Sequence, residues 1–146
     1  SSQGDQMIDR RSKQRRSLVE GTPTNGARRR PRPEPRLAKP VHVFDLWTEA
    51  NDLVVEESWI KHGHNAKTLE KRDDSCLILE VLRSGKTISR HAAPTSVQLH
   101  MLSGRIRVRL AERSIDLIAG QCLLLAPRIA HEVSAIVDTA FTLTCR

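Results

Sequence analysis

Two histidines of this chain lie in segments of the same kind, in which a glycine precedes an imidazole by a short interval. His91 follows Gly85 after five intervening residues, and His131 follows Gly120 and then Pro127 in a second such segment. Imidazole nitrogens bind transition metals, and they also exchange protons near neutral pH. If the fold brings the two side chains together, they provide either two metal ligands or two hydrogen-bonding and acid–base groups.

Short alternating strands are expected to position these histidines. In residues 66–145, runs of alternating apolar and polar residues are interrupted at short intervals by Gly, Pro or charged pairs. This pattern is typical of an all-β sandwich or barrel. A hairpin is expected across Gly104, and the arginines that alternate with aliphatic residues in its second strand are expected to face solvent.

The two histidine segments resemble the two sequence motifs of the cupin superfamily, a group of small β-barrels of the jelly-roll type. The first motif is roughly Gly, five residues, His-x-His-Pro, then Glu or Gln and a Gly turn; the second is roughly Gly, a strand, Pro, a short turn and His. The resemblance covers about residues 66–145 and implies an all-β, cupin-type jelly-roll barrel. Cupins include enzymes, binding proteins and sensors, so the resemblance is more specific for fold than for activity.

The metal site that the resemblance implies is incomplete in this chain. His91 and His131 match the first and last ligands, whereas Ala93 replaces the second histidine and Val97 replaces the Glu. A transition-metal site normally has three or four suitable protein ligands. A divalent metal such as zinc, nickel, manganese or iron would therefore be bound only weakly by the two histidines.

The strand between Pro94 and Gly104 decides which further side chains reach the barrel interior. Successive side chains point to opposite faces of a strand, so the apolar alternate positions suit the interior and Gln98 and His100 face outwards. Gln98 and His100 would join the metal ligands only if a β-bulge in this strand shifted the register. The expected pocket is a largely apolar cavity with two imidazoles, lined by His91, Val97, Leu99, Met101 and His131.

The composition divides the chain into a tail, residues 1–40, and a single domain, residues 41–146. Within the domain, residues 45–59 are expected to form a helical lead-in with Asp45 as its N-cap, and residues 66–145 the barrel. Between them, the segment KHGHN at residues 61–65 is expected to be a polar loop. Its His62 and His64 form a His-x-His pair, which we interpret as ordinary loop residues.

The tail carries the whole net charge of +7, because eleven Lys or Arg residues and four acidic residues fall within residues 1–40. It is poor in aliphatic residues and rich in proline towards its end, so it is expected to be disordered. An arginine-rich arm can bind nucleic acid through phosphates. However, no aromatic residues interleave its charges and no base-reading module follows, so nucleic acid is not the expected partner.

The three cysteines, Cys76, Cys122 and Cys145, lie in expected strands, and no two of them form a CxxC pair. An odd number of dispersed cysteines indicates a reduced, cytoplasmic protein. The sequence contains neither a secretory leader nor an apolar run long enough to span a membrane. No membrane association is therefore expected.

Two functions from different classes remain. In the first, the chain is a small cupin domain that binds a small molecule or acts as a sensory or structural module, without turnover. In the second, it is a metal-dependent enzyme of oxygenase or isomerase type that uses His91 and His131. The missing ligands at Ala93 and Val97 favour the first. The family resemblance also implies a homodimer.

Overall fold

The computed structural model of the chain describes residues 29–30 and 40–146. Most of the tail, and with it the expected disorder of residues 1–40, lies outside the described residues. Arg29 and Arg30 are exceptions, since both contact the domain. The Arg30 guanidinium donates from Nε to Glu56 Oε1 at 3.0 Å and from Nη2 to the Ala66 carbonyl at 2.5 Å, and Arg29 pairs with Glu57. Arg30 thereby supplies a cation to a largely buried carboxylate.

Two helices precede the sheets in the described part of the chain: α1 (Leu46–Leu53) and α2 (Glu57–His62). Asp45 caps α1, as expected, because its side chain accepts a hydrogen bond from Thr48 N at 3.1 Å. The helical segment extends three residues beyond the expected limit of residue 59. Leu53 is fully buried against the outer face of one sheet.

The expected polar loop at 61–65 does not form. His62 ends α2, Gly63 alone makes the turn in a left-handed conformation (φ 69°), and His64 opens the first strand. Glycine adopts this conformation without the steric cost that a Cβ imposes, so it can end a helix within one residue. As a result His62 and His64 belong to different elements.

Nine strands make up the sheets in the described residues, and their bounds are as follows: β1 (His64–Arg72), β2 (Ser75–Leu82), β3 (Thr87–His91), β4 (Val97–Ser103), β5 (Arg105–Arg109), β6 (Ser114–Ile118), β7 (Cys122–Leu125), β8 (His131–Ala135) and β9 (Thr139–Cys145). One sheet has the order β1-β2-β9-β4-β7 and the other has the order β3-β8-β5-β6. All neighbouring strands are antiparallel. The two sheets pack face to face, as expected for an all-β jelly roll.

Apolar side chains fill two regions on opposite sides of the five-stranded sheet. One lies between the sheets and includes Phe141, Met101 and Ile106. The other lies between the helices and the outer face of β1, β2 and β9, where Leu53 meets Leu79. Because the helices cover only part of that outer face, the outward side chains of β4 and β7 remain exposed.

The outer face of the four-stranded sheet carries ion pairs. Arg107 and Arg105 both donate to the Asp116 carboxylate, at 2.8 Å and 2.7 Å, and Arg109 lies 3.8 Å from Glu132. The arginines of β5 thus point outwards, as expected, and have carboxylate partners. No helix in the part of the chain that the structure describes is both long and apolar enough to cross a membrane.

Candidate functional site

A cavity of about 200 Å³ lies between the two sheets and contains both histidines of the sequence motifs. Most of its wall is apolar. The lining residues are Glu80, Ile88, His91, Val97, Leu99, Val108, Leu125, His131, Val133, Phe141 and Leu143. The volume is below the roughly 300–1,000 Å³ of pockets that enclose drug-sized ligands. A cavity of this volume has space only for a molecule smaller than a typical drug.

His91 and His131 are neighbours across β3 and β8. They are paired in the antiparallel register, and their ring centroids lie 4.4 Å apart with the ring planes inclined at 56°. His131 is buried, at 4% exposure, whereas His91 is exposed at the mouth of the cavity. The structure therefore brings together the two histidines that the motifs single out.

A bulge in β3 turns His91 towards the cavity. Ile88 pairs with Val133 and His91 pairs with His131, so three steps along β3 match two steps along β8. With regular alternation from Ile88, the inward position would fall on Arg90 instead. The extra residue shifts the phase, and both Ile88 and His91 line the cavity.

Backbone carbonyls fix the orientation of both imidazoles. His91 Nδ1 lies 2.8 Å from the Ser89 carbonyl, and His131 Nδ1 lies 2.9 Å from the Ile129 carbonyl. A carbonyl oxygen only accepts hydrogen bonds, so Nδ1 carries the proton in each ring. In the neutral form, each Nε2 therefore retains its lone pair, ready to accept a hydrogen bond or to bind a metal.

The loops that carry the two histidines are tied together at the mouth. The Arg128 N–H donates to the Ala93 carbonyl at 2.8 Å, joining the loop after His91 to the loop before His131. Arg128 has a φ of 65°, in the left-handed region that non-glycine residues rarely adopt. Such conformations persist where the surrounding structure holds them, and they are common near functional sites.

Some of the residues expected to line the pocket border the cavity, and one does not. Val97 and Leu99 border the cavity, whereas Met101 does not. Met101 does point inwards, but it lies one inward position deeper along β4, opposite Phe141, where side chains fill the space between the sheets. The strand period predicts the face of a residue but not its depth.

Gln98 and His100 lie outside the site. They are exposed on the outer face of β4, while Val97, Leu99 and Met101 are buried on the inner face. The register irregularity of β4 against β9 falls between Met101 and Ser103, beyond both residues. The bulge that would have turned them inwards is therefore absent from that part of β4.

Glu80 of β2 is a site residue that the sequence analysis missed. Its side chain is only about 10% exposed and lines the cavity. The Glu80 Oε1 atom lies 2.8 Å from His64 Nε2. The signal was a single acidic residue in the otherwise apolar run CLILEVL. A carboxylate on the buried face of a strand needs a hydrogen-bonding partner, and His64 on the neighbouring strand provides it.

The donors do not suit a transition-metal site of the usual kind. Ala93 and Val97 offer no ligand atom, Gln98 and His100 point away, and the Glu80 carboxylate contacts His64. No three His, Cys, Asp or Glu side chains cluster as a metal site within residues 29–30 and 40–146. Two imidazoles fall below the ligand number of typical zinc or iron sites.

The fold of the described domain is similar to that of many solved cupin structures. A cupin superfamily protein from Desulfitobacterium hafniense superposes with a TM-score of 0.56 at 14% identity, over 57% of this chain and 77% of that one. The chain has the cupin fold. At such identity the similarity establishes the architecture of this chain and not its activity.

Two further solved structures share the architecture of this chain. A protein of unknown function from Streptococcus pyogenes has a TM-score of 0.57 at 20% identity, over 74% of this chain and 89% of that one. The cupin domain of an XRE family transcriptional regulator from Enterobacter cloacae has a TM-score of 0.52 at 17% identity, over 58% of this chain and 97% of that one. No family model matches the chain, and no curated protein matches it.

Proposed function

We propose that this cupin binds a small molecule in the cavity between its sheets and does not chemically transform it. The observation that carries the proposal is the orientation of His91 and His131, whose Nδ1 atoms are bound to backbone carbonyls. Two Nε2 atoms thereby remain for a ligand within an apolar chamber. A few convergent polar groups in an apolar pocket are typical of ligand sites.

The cavity wall indicates the chemistry of the ligand. Neutral imidazoles with protonated Nδ1 accept hydrogen bonds at Nε2, and the carboxylate of Glu80 also accepts. The other lining residues are aliphatic apart from Phe141. A compact apolar molecule that carries hydroxyl or amine donors would satisfy these acceptors.

The second candidate is a metal-dependent enzyme. The contacts of both Nδ1 atoms with backbone carbonyls support it. Metal-binding histidines usually donate their other ring nitrogen to a carbonyl or a carboxylate, as both rings do here. His91 and His131 would hold the metal, with water or substrate supplying the remaining ligands. The shortage of protein ligands makes this function the weaker proposal.

A sensory role would follow if binding were coupled to a partner. The Enterobacter cloacae domain of the same fold belongs to a transcriptional regulator.

The homodimer also remains a proposal. In its support, Leu124 is 72% exposed on the outer face of β7, at the edge of the five-stranded sheet away from the helices. Exposed apolar side chains on an uncovered sheet favour association.

Thermal shift of the full chain tests the proposal. The screen uses small alcohols and amines, first in the presence of EDTA and then with zinc, nickel, manganese or iron(II) added separately. Ligand binding raises the Tm by mass action. We expect at least one metal-free hit whose affinity falls about tenfold or more in the His91→Ala/His131→Ala double variant.

The matched control is His100→Ala, which removes an imidazole from the outer face of β4 and should leave binding unchanged. Equal binding by the double variant would contradict the proposed site. Saturation by one equivalent of metal, lost in the double variant, would instead support the enzyme and would lead to oxygen-consumption and isomerisation assays.

A further inference from the structure

Two of the three cysteines lie opposite each other in the five-stranded sheet. Cys76 of β2 pairs in register with Cys145 of β9, and both side chains are partly exposed. Alternation along β9 places Cys145 on the same face as Phe141 and Leu143, which line the cavity. Cys76 lies close enough to Cys145 to contribute to the raised pKa of its thiol. The sequence analysis placed these cysteines in separate strands and predicted no pairing between them.

The register satisfies the main geometric requirement of a disulfide. Directly opposed residues of antiparallel strands have Cα atoms roughly 4.5–5.5 Å apart. Disulfides span Cα separations of about 4.4–6.8 Å. The two sulfurs can therefore be joined without separating β2 from β9.

Cys122, unlike Cys76 and Cys145, has no cysteine opposite it in the sheet. It lies on β7, opposite the outward-facing His100, and is exposed. β4 separates β7 from β9, so Cys122 lies two strand spacings, about 10 Å, from β9, where its register leads to Thr142 and not to Cys145; β2 is farther still. Neither partner is within disulfide range.

We propose that Cys76 and Cys145 form a redox-sensitive modification site, which a small hydroperoxide converts into a reversible intramolecular disulfide. The Cys76 thiolate attacks one oxygen of the peroxide, the O–O bond breaks, and Cys76 becomes a sulfenic acid as water is released. The Cys145 sulfur then forms the S–S bond and displaces the hydroxyl, which leaves as a second water. Overall, two thiols and one hydrogen peroxide give one disulfide and two waters.

The direction of the Cys145 pKa shift supports this order of the two steps. Burial and the adjacent Cys76 raise the pKa of Cys145 to about 11, with Glu80 adding to the shift. Cys145 thus keeps its proton at neutral pH and acts second. Because thiolates are the reactive form, disulfide formation should accelerate as the pH rises.

The proposal is tested on the full chain, reduced and freed of reductant, with hydrogen peroxide at pH 7 and pH 9. Remaining thiols are alkylated under denaturing conditions before intact-mass and peptide analysis. We expect an intact chain that carries one alkyl group instead of three and lacks the two thiol hydrogens, a Cys76–Cys145 cross-linked peptide that dithiothreitol cleaves, and faster formation at pH 9. The cross-link should raise the Tm by roughly 10 °C, because it closes a long loop in the unfolded chain.

The matched variants are Cys122→Ser, which should retain the cross-link, and Cys145→Ser, which should abolish it. If Cys145→Ser does not fold, peptide mapping of the unaltered chain still shows whether Cys76 and Cys145 are cross-linked. The proposal is overturned if excess peroxide oxidises Cys122 or links chains through it while Cys76 and Cys145 remain alkylatable.

Discussion

His64 Nε2 lies 2.8 Å from Glu80 Oε1, so an imidazole at the first position of β1 partners a carboxylate in the cavity wall. Replacing His64 by Ala leaves that carboxylate buried without this partner. We expect His64→Ala to lower the free energy of unfolding by about 1–3 kcal/mol, the usual cost of an unsatisfied buried polar group. Urea denaturation measures the change.

The exposed neighbour His62 supplies the control for this pair, because His62→Ala should change stability little. Glu80→Gln removes the charge while keeping the shape. In the double variant with His64→Ala, it should therefore restore part of the lost stability. Strictly additive losses would show that the two side chains do not act as a pair.

Gly104 lies in the β4–β5 turn, where the backbone of Asp138 and Thr139 comes very close to it. It has a φ of 83°, and a Cβ there would lie 2.3 Å from the Asp138 carbonyl oxygen and 2.8 Å from the Thr139 Cα. Gly104→Ala therefore combines backbone strain with a clash against atoms that cannot rotate away. We expect a loss of about 3 kcal/mol or more.

Gly120→Ala separates these two effects. Gly120 has a φ of 88°, but a Cβ at that position would have no neighbour within 4 Å. Its substitution should cost only the strain, about 1 kcal/mol. Chemical denaturation of both variants measures the difference, and equal losses would show that the contact with the β8–β9 turn is unimportant.

Asp116 makes stability dependent on pH in the acid range. Hydrogen bonds from Arg107 and Arg105 lower the pKa of this carboxyl from 3.8 to about 2 in the folded chain. The unfolded chain therefore takes up the proton first as the pH falls. The stabilisation is complete above about pH 4 and is lost between pH 3.8 and pH 2.

Asp116→Asn should accordingly lower the Tm at pH 7, and the difference from the unaltered chain should shrink towards pH 2. Calorimetry across this pH range measures the effect, with Asp73→Asn in the exposed β1–β2 turn as the control. A constant difference at every pH would contradict the role given to the Asp116 carboxylate.

Leu124 tests the proposed homodimer. If the uncovered part of the five-stranded sheet is the interface, Leu124→Lys should raise the dimer dissociation constant about tenfold or more, because it places a charge on a buried apolar surface. Ile118→Lys alters an exposed residue of the other sheet and should leave dimerisation unchanged. Sedimentation equilibrium distinguishes these outcomes, and a monomer at all concentrations would exclude the dimer.

The sequence by itself determined the fold class and the faces of several strands, because both depend on local patterns. Alternation in β4 placed Gln98 and His100 outside, and Asp45 was recognisable as a helix cap from its type and position. The two motifs singled out His91 and His131 as candidates. Each of these predictions needed only neighbouring residues along the chain.

Only the tertiary structure decided how the site is assembled. The β3 bulge that turns His91 inwards appears only when β3 is aligned with β8. Likewise, the contact of His64 with Glu80 and the opposition of Cys76 to Cys145 depend on the register between strands, and the exclusion of Met101 from the cavity depends on its depth between the sheets. Strand register and depth are set by packing between residues distant in sequence, which a period of two residues cannot encode.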